Sequence, residues 1–229
     1  MNILILGATS AIAQETARCF AAEGVSFFLV ARDTAKCAVV ADDLRARGAA
    51  QVETFVADLA DLSRHAAIAA SAPQTIDITL IAHGTLPDQQ AIDDDPAAQA
   101  ASFELNATSY ISLATHFANR TKTLAIIGSV AGDRGRRANY VYGAAKAALD
   151  TYCEGLRARG VNVVFIKPGW IDTPMTSHMR KNPLFASAQT AGRLIHDAIL
   201  ANRAVVYVPW FWRWISLIVR MLPAKLVKF

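Results

Sequence analysis

Seven short apolar runs punctuate the chain: Asn2 to Leu6, Val25 to Val30, Val52 to Val56, Ile76 to Ile81, Thr123 to Ile127, Val161 to Ile166 and Ala204 to Val208. Most are nearly continuous in Val, Ile, Leu and Phe, which predicts strands buried on both faces. Alanine-rich segments separate them: a helical run to Glu23, one opened by Asp33 as N-cap and ending near Arg47, one from Pro96 to about Asn119, and one from Gln189 to Ala201. Strands alternating with helices predict an α/β fold, a doubly wound parallel sheet of about seven strands with its site at the strands' carboxyl ends.

The pattern changes after Pro209. In the segment 210–229, Arg213, Ser216 and Arg220 fall at i, i+3 and i+7, a narrow polar stripe, while Trp210, Phe211, Trp214, Ile215, Leu217, Ile218, Met221 and Leu222 cover the remainder. The run falls short of the roughly 20 apolar residues that a membrane span needs. An amphipathic C-terminal helix lying in a membrane interface is expected, with tryptophans at headgroup depth; a helix packed in an oligomer interface is the other reading. The chain thus divides into a body, 1–209, and this tail.

With 229 residues, 53% of them hydrophobic, the chain fits one α/β domain with a large core. The first apolar run reads as a strand and not as a secretion signal. Cys19, Cys37 and Cys153 have neither even number nor ligand spacing, so buried thiols in a reducing compartment are expected, with no metal site. The net charge of +4 belongs to the tail: five basic residues (Arg203, Arg213, Arg220, Lys225, Lys228) and no acid lie from Arg203 onward. No nucleic-acid motif accompanies it.

The chemistry concentrates between Ser129 and Lys146. Ser129 follows the fifth apolar run, and Tyr142 and Lys146 stand four residues apart on one helix face. A phenol with pKa about 10 is a poor acid or base at neutral pH. A nearby ammonium favours its ionisation, and a serine hydroxyl holds a substrate oxygen beside it. The trio suits carbonyl reduction or alcohol oxidation; a surface tyrosine and a solvated lysine are the plain alternative. The turn Gly7-Ala8-Thr9-Ser10-Ala11-Ile12-Ala13 lies between a strand and a helix, where backbone amides approach a pyrophosphate. Arg32 after the second strand, in place of an acid, points to NADPH over NAD. Asp133 to Arg137 is a charged loop whose three arginines either receive a phosphate-bearing substrate or are simply solvated.

These segments, with Asn106 and Pro168 to Met175, resemble the short-chain dehydrogenase/reductase family over nearly the whole chain, to about Pro209. The resemblance implies a Rossmann fold, and Asn106, Ser129, Tyr142 and Lys146 as catalytic residues, with Asn106 holding a water that links Lys146 to solvent. It implies dinucleotide contacts from Gly7, Thr9, Ser10, Ile12, Arg32, Asp58, Leu59, Gly84, Lys146, Pro168, Gly169, Ile171 and Thr173. Asp58 reads equally as a helix cap. The chain departs from the family in keeping one glycine, Gly7, where the family has three, and in reading Ala82-His83-Gly84 for the usual Asn-Ala-Gly; a packed, hydrogen-bonded His83 is expected. Met175 to Ala186, broken by Pro, Asn and Ser, reads as a lid.

The Gly7 loop, the Asp133 to Lys146 segment and the tryptophan-rich tail resemble, more narrowly, bacterial reductases related to decaprenylphosphoryl-2-keto-pentose reductase. That implies an NADPH-dependent reductase of a keto-sugar carried on a polyprenyl phosphate, in cell-envelope sugar metabolism. Such a protein would be cytoplasmic, peripheral on the inner face of the cytoplasmic membrane, and a homodimer or homotetramer. The alternatives are a soluble reductase of small carbonyl compounds whose tail serves dimerisation, and a nonenzymatic dinucleotide-binding scaffold at the membrane.

Overall fold

A computed structural model describes residues 1–223; Lys225 and Lys228 of the basic tail lie outside the described residues. Its strands and helices alternate: β1 (Asn2–Leu6), α1 (Ala11–Ala21), β2 (Ser26–Ala31), α2 (Thr34–Ala46), β3 (Gln51–Val56), α3 (His65–Ser71), β4 (Ile76–Ile81), α4 (Gln89–Ile92), α5 (Pro96–Phe103), α6 (Ser109–Phe117), β5 (Thr121–Ile127) and α7 (Tyr140–Ala158). Then follow β6 (Val163–Pro168), β7 (Ile171–Asp172), β8 (Ala186–Ser187), α8 (Ala188–Leu200), β9 (Val205–Val208) and α9 (Trp212–Met221).

The main sheet has seven parallel strands in the order β3-β2-β1-β4-β5-β6-β9. Alternate residues of each strand point to opposite faces. Ile3, Ile5, Phe27, Leu29 and Leu80 therefore pack with α1, α2 and α8, while Leu4, Leu6, Phe28, Leu124 and Phe165 pack with α3, α6 and α7. Burial on both faces is why these runs read as continuously apolar, each large side chain contributing about 1.5–3 kcal/mol. β1 pairs with β2 on one side and β4 on the other, so the winding reverses there and a crevice opens past the strand ends.

The expected cap forms at Asp33, which accepts from the backbone N–H of Lys36; Asp95, just before Pro96, likewise accepts from that of Ala98. The helix from Pro96 runs through to Phe117, but with a π turn at Glu104–Thr108, where the Ser109 N–H reaches back to the Glu104 carbonyl. The three thiols are free, and burial pushes Cys153 up to about 12, which leaves it unreactive.

The tail folds back onto the body. Trp212, Ser216 and Val219, at i, i+4 and i+7, are buried. The expected solvent stripe of Arg213, Ser216 and Arg220 is therefore corrected: Ser216 faces inward, because Trp212 has a seat on the body and sets the rotation of α9. No helix of the described residues is long and apolar enough to cross a membrane.

Candidate active site

The turn after β1 is built on Gly7. Its φ is +93°, and a Cβ there would lie 2.6 Å from the His83 nitrogen. The chain needs glycine here both for the left-handed backbone and for the approach of the β4 end. Ala11 and Ala13 already lie inside α1 with helical backbone, so one glycine suffices where the family has three. Ser10 occupies the N-cap without a side-chain cap, and Thr9, Ser10, Ala11 and Ile12 line a cavity of about 400 Å³. The first-turn amides of α1 thus border the cavity, with the helix dipole favouring an anion.

The far wall carries the residue expected to distinguish the two dinucleotides. Arg32 is exposed on the cavity and has no acidic partner among the described residues, whereas Asp33 is turned away to cap α2. Asp58 and Leu59 also line the cavity; the Asp58 carboxylate accepts from the Ala60 N–H at 3.0 Å, and Asp61 is the cap of the following turn. Gly84 (φ +143°) completes this side, its α-carbon so close to Asn106 that a Cβ would sit 2.6 Å from Asn106 Oδ1.

His83 is packed, as expected. Its Nε2 lies 2.5 Å from Ser109 Oγ, its ring stacks on Tyr110 at 4.2 Å, and the Tyr110 hydroxyl donates to its carbonyl. Burial and then the charge of Lys146 hold it well below the usual imidazole range, so it is neutral.

The candidate catalytic residues Ser129, Tyr142 and Lys146 do not line this cavity; they stand on the turn after β5 and on α7. Ser129, two residues past β5, caps the turn Val130–Asp133, accepting from the Ala131 N–H at 3.0 Å. That turn lies against α7 because two glycines permit it: a Cβ on Gly132 would come 2.8 Å from the Ala147 nitrogen, and one on Gly143 would come 2.9 Å from the Ala131 carbonyl. The approach brings Ser129 towards Tyr142, whose phenol burial raises to about 12, with the Ser129 hydroxyl opposing the rise. Lys146 is 2% exposed, donates to the Ile127 carbonyl at 3.1 Å, and lies 4.2 Å from the Tyr110 ring centre and 5.7 Å from that of Tyr142. Burial lowers it to about 7.

Asn106 sits in the π turn, fully buried. Its amide donates to the carbonyls of Thr85 (3.0 Å) and Ser102 (2.9 Å), and its Oδ1 accepts from the Thr85 N–H. It ties α5 to the cavity wall at Thr85.

After β6 the structure divides the expected contacts. Thr173 and Pro174, with Met175 from the lid, line the cavity; Pro168, Gly169 and Ile171 do not. Ile171 is core, its carbonyl taken by Thr176 Oγ1, and Gly169 lies under the Trp212 indole. The lid is closed at its base by pairing of β7 with β8. The charged loop is also corrected: Arg134 donates to the Leu222 carbonyl, Arg136 is buried near Asp133, and Arg137 alone of the three is exposed.

One group was not singled out in the sequence. Lys167 is buried between Asp133 (2.5 Å) and Asp150 (2.6 Å). Burial works against its ammonium, but those hydrogen bonds outweigh it and hold the pKa above the ordinary value. The signal was a lysine within an otherwise apolar strand, which demands a buried counter-charge.

The sequence profile of the short chain dehydrogenase family matches residues 1–184. An uncharacterized oxidoreductase of Mycobacterium tuberculosis is 35% identical across 96% of this chain and 93% of its own length. A galactitol 2-dehydrogenase (L-tagatose-forming) of Cereibacter sphaeroides is 29% identical across 78% of this chain and 74% of its own. A short-chain dehydrogenase from Sphingobium yanoikuyae, solved in complex with NADPH, superposes with a TM-score of 0.82 at 24% identity, covering 97% of this chain and 96% of that one. The chain belongs to the short-chain dehydrogenase/reductase family, and it is an NAD(P)-dependent oxidoreductase.

Proposed function

We propose that the protein is an NADPH-dependent reductase of a ketone, on a sugar joined to a polyprenyl phosphate or a similar membrane-associated carrier. The observation that carries this reading is the packing of the turn after β5, with Ser129, against α7, with Tyr142 and with Lys146 5.7 Å from the Tyr142 ring centre; burial keeps the phenol protonated. A protonated phenol is the form that reduction consumes.

The residues fit the dinucleotide. The α1 amides and Gly7 suit a pyrophosphate, Asp58 and Leu59 the adenosine end, and Arg32, free of acids, a 2′-phosphate; NAD remains a weaker fit for want of an acid at that place. Gly84 and Thr173 complete the wall, and Lys146 would hold the ribose. When bound, the nicotinamide supplies hydride to the carbonyl carbon. Ser129 then orients the carbonyl oxygen, Tyr142 gives it a proton, and Lys146, with Asn106, serves resupply of that proton.

The sugar reading draws on the likeness to a polyol dehydrogenase and on the narrower resemblance of the tail and Gly7 loop. The carrier reading draws on α9, which leaves Trp214, Ile218 and Met221 exposed along one side. Such a face suits an amphipathic helix at the inner surface of the cytoplasmic membrane. A soluble reductase of small carbonyls whose tail serves dimerisation through the same exposed residues of α9 is the second reading.

The test is NADPH oxidation with a polyprenyl-phosphate 2-keto-pentose in mixed micelles, by the intact chain, by Tyr142→Phe and by Ile218→Gln/Met221→Gln. Turnover lost in the first variant and reduced in the second supports the proposal. Turnover of soluble keto-sugars equal to the lipid-linked one, unchanged in the tail variant, selects the second reading.

A further inference from the structure

α9 carries three stripes, each at i, i+4 and i+7. Trp212, Ser216 and Val219 face the body; Arg213, Leu217 and Arg220 face the groove beside β9; Trp214, Ile218 and Met221 face outward. The groove encloses about 520 Å³, far more than one phosphate ion needs. Arg203, just before β9, stands on the sheet side, and Trp210 and Trp214 close the helix side. No carboxylate lines it, and Arg203, Arg213 and Arg220 have no acidic partner among the described residues. Three arginines thus line a space with aromatic and aliphatic walls and no carboxylate, Arg213 with its guanidinium 5.9 Å from the Trp214 ring centre.

We propose that this groove binds the phosphate headgroup of an anionic phospholipid, so that α9 sits on acidic membrane rather than on lipid in general. The inference rests on the membrane-surface reading above and deepens it. Charge complementarity calls for an anion, and guanidiniums match phosphate oxygens in paired hydrogen bonds. The neighbouring outward stripe decides the source. A free phosphate ion would use the arginines but would leave Trp214 at 55%, Ile218 at 61% and Met221 at 78% exposure uncovered, whereas a bilayer covers the stripe as its headgroups enter the groove. A second copy related by a twofold axis at this groove would bring six guanidiniums together with no carboxylate lining the space, which is unfavourable.

The experiment is flotation of the full-length protein with vesicles of phosphatidylcholine alone or with added phosphatidylglycerol. The native chain is compared with Arg203→Gln/Arg213→Gln/Arg220→Gln and with the control Arg64→Gln/Arg159→Gln/Arg193→Gln, taken from exposed positions elsewhere. Circular dichroism checks that each is folded. Binding of the native chain and control to phosphatidylglycerol vesicles, weakened about fivefold for each groove arginine lost, is the expected result. Equal binding by the groove variant overturns the headgroup site while leaving the membrane reading in place. Failure of the native chain to float with either vesicle overturns both. Displacement from vesicles by millimolar inorganic phosphate, or loss of a dimer in the groove variant with flotation kept, assigns the groove to a soluble anion or to an interface and overturns the proposal.

Discussion

The indole of Trp212 lies where a Cβ on Gly169 would have to go. Glycine is needed at this turn for the tail, whose largest buried side chain rests on it and meets Trp170 edge-on at 5.3 Å.

Gly169→Ala should therefore cost about 1–3 kcal/mol by overpacking, and Trp212→Ala about 3–5 kcal/mol by leaving a cavity. The double variant should cost clearly less than the sum, since no ring remains for the new methyl to meet. Urea midpoints of the four proteins measure this. A Gly169→Ala protein as stable as the native one would contradict the packing.

Lys146 gives stability a pH dependence of definite sign. Its ordinary value is 10.5 and its folded value about 7, so between these the unfolded chain binds the extra proton. Its contribution to stability then rises with pH across that window and is constant below it. Thermal melts at about pH 6 and about pH 9 should show native protein gaining on Lys146→Met at the higher pH. A gap that widens against the native protein would reverse the assignment.

Arg32→Ala tests the cofactor wall. Loss of a charge-assisted hydrogen bond of about 1.5–3 kcal/mol should raise the KM for NADPH about 10–100-fold and leave that for NADH nearly unchanged. Steady-state kinetics with both nucleotides decide it; an equal change for both would remove Arg32 from the 2′-phosphate.

Lys167→Met should be among the most damaging single changes, at about 3–5 kcal/mol, because it strands Asp133 and Asp150 without their cation. Lys167→Met/Asp133→Asn/Asp150→Asn should recover much of the loss. Calorimetry of both variants checks this, and no recovery would mean that packing of the lysine stem, not charge, was lost.

The sheet was legible because parallel strands buried on both faces must be apolar at nearly every position, and the caps because Asp33 and Asp95 precede a helical pattern. The placement of Tyr142 and Lys146 on one helix was legible as well, from their spacing alone. What failed depends on partners distant in the chain. Ser216 reads as polar surface until Trp212 finds Gly169 and fixes the helix rotation. The seat of Gly169 under the tail was not legible either, because Trp212 lies 43 residues further along the chain. The arginine loop reads as three equal cations, but Arg134 reaches the Leu222 carbonyl and Arg136 is buried. Lys167 was visible as an anomaly whose partners, on the loop after β5 and on α7, could not be paired from sequence.

Gly169 follows β6 and Arg134 follows β5, and the tail holds both, one beneath Trp212 and the other at the Leu222 carbonyl. The tail is therefore a shared floor for two loops whose neighbours are Ser129 and Thr173. By reciprocity, any force that lifts α9 from that floor loosens the two loops, and any ligand that clamps the loops tightens the tail's hold on the body.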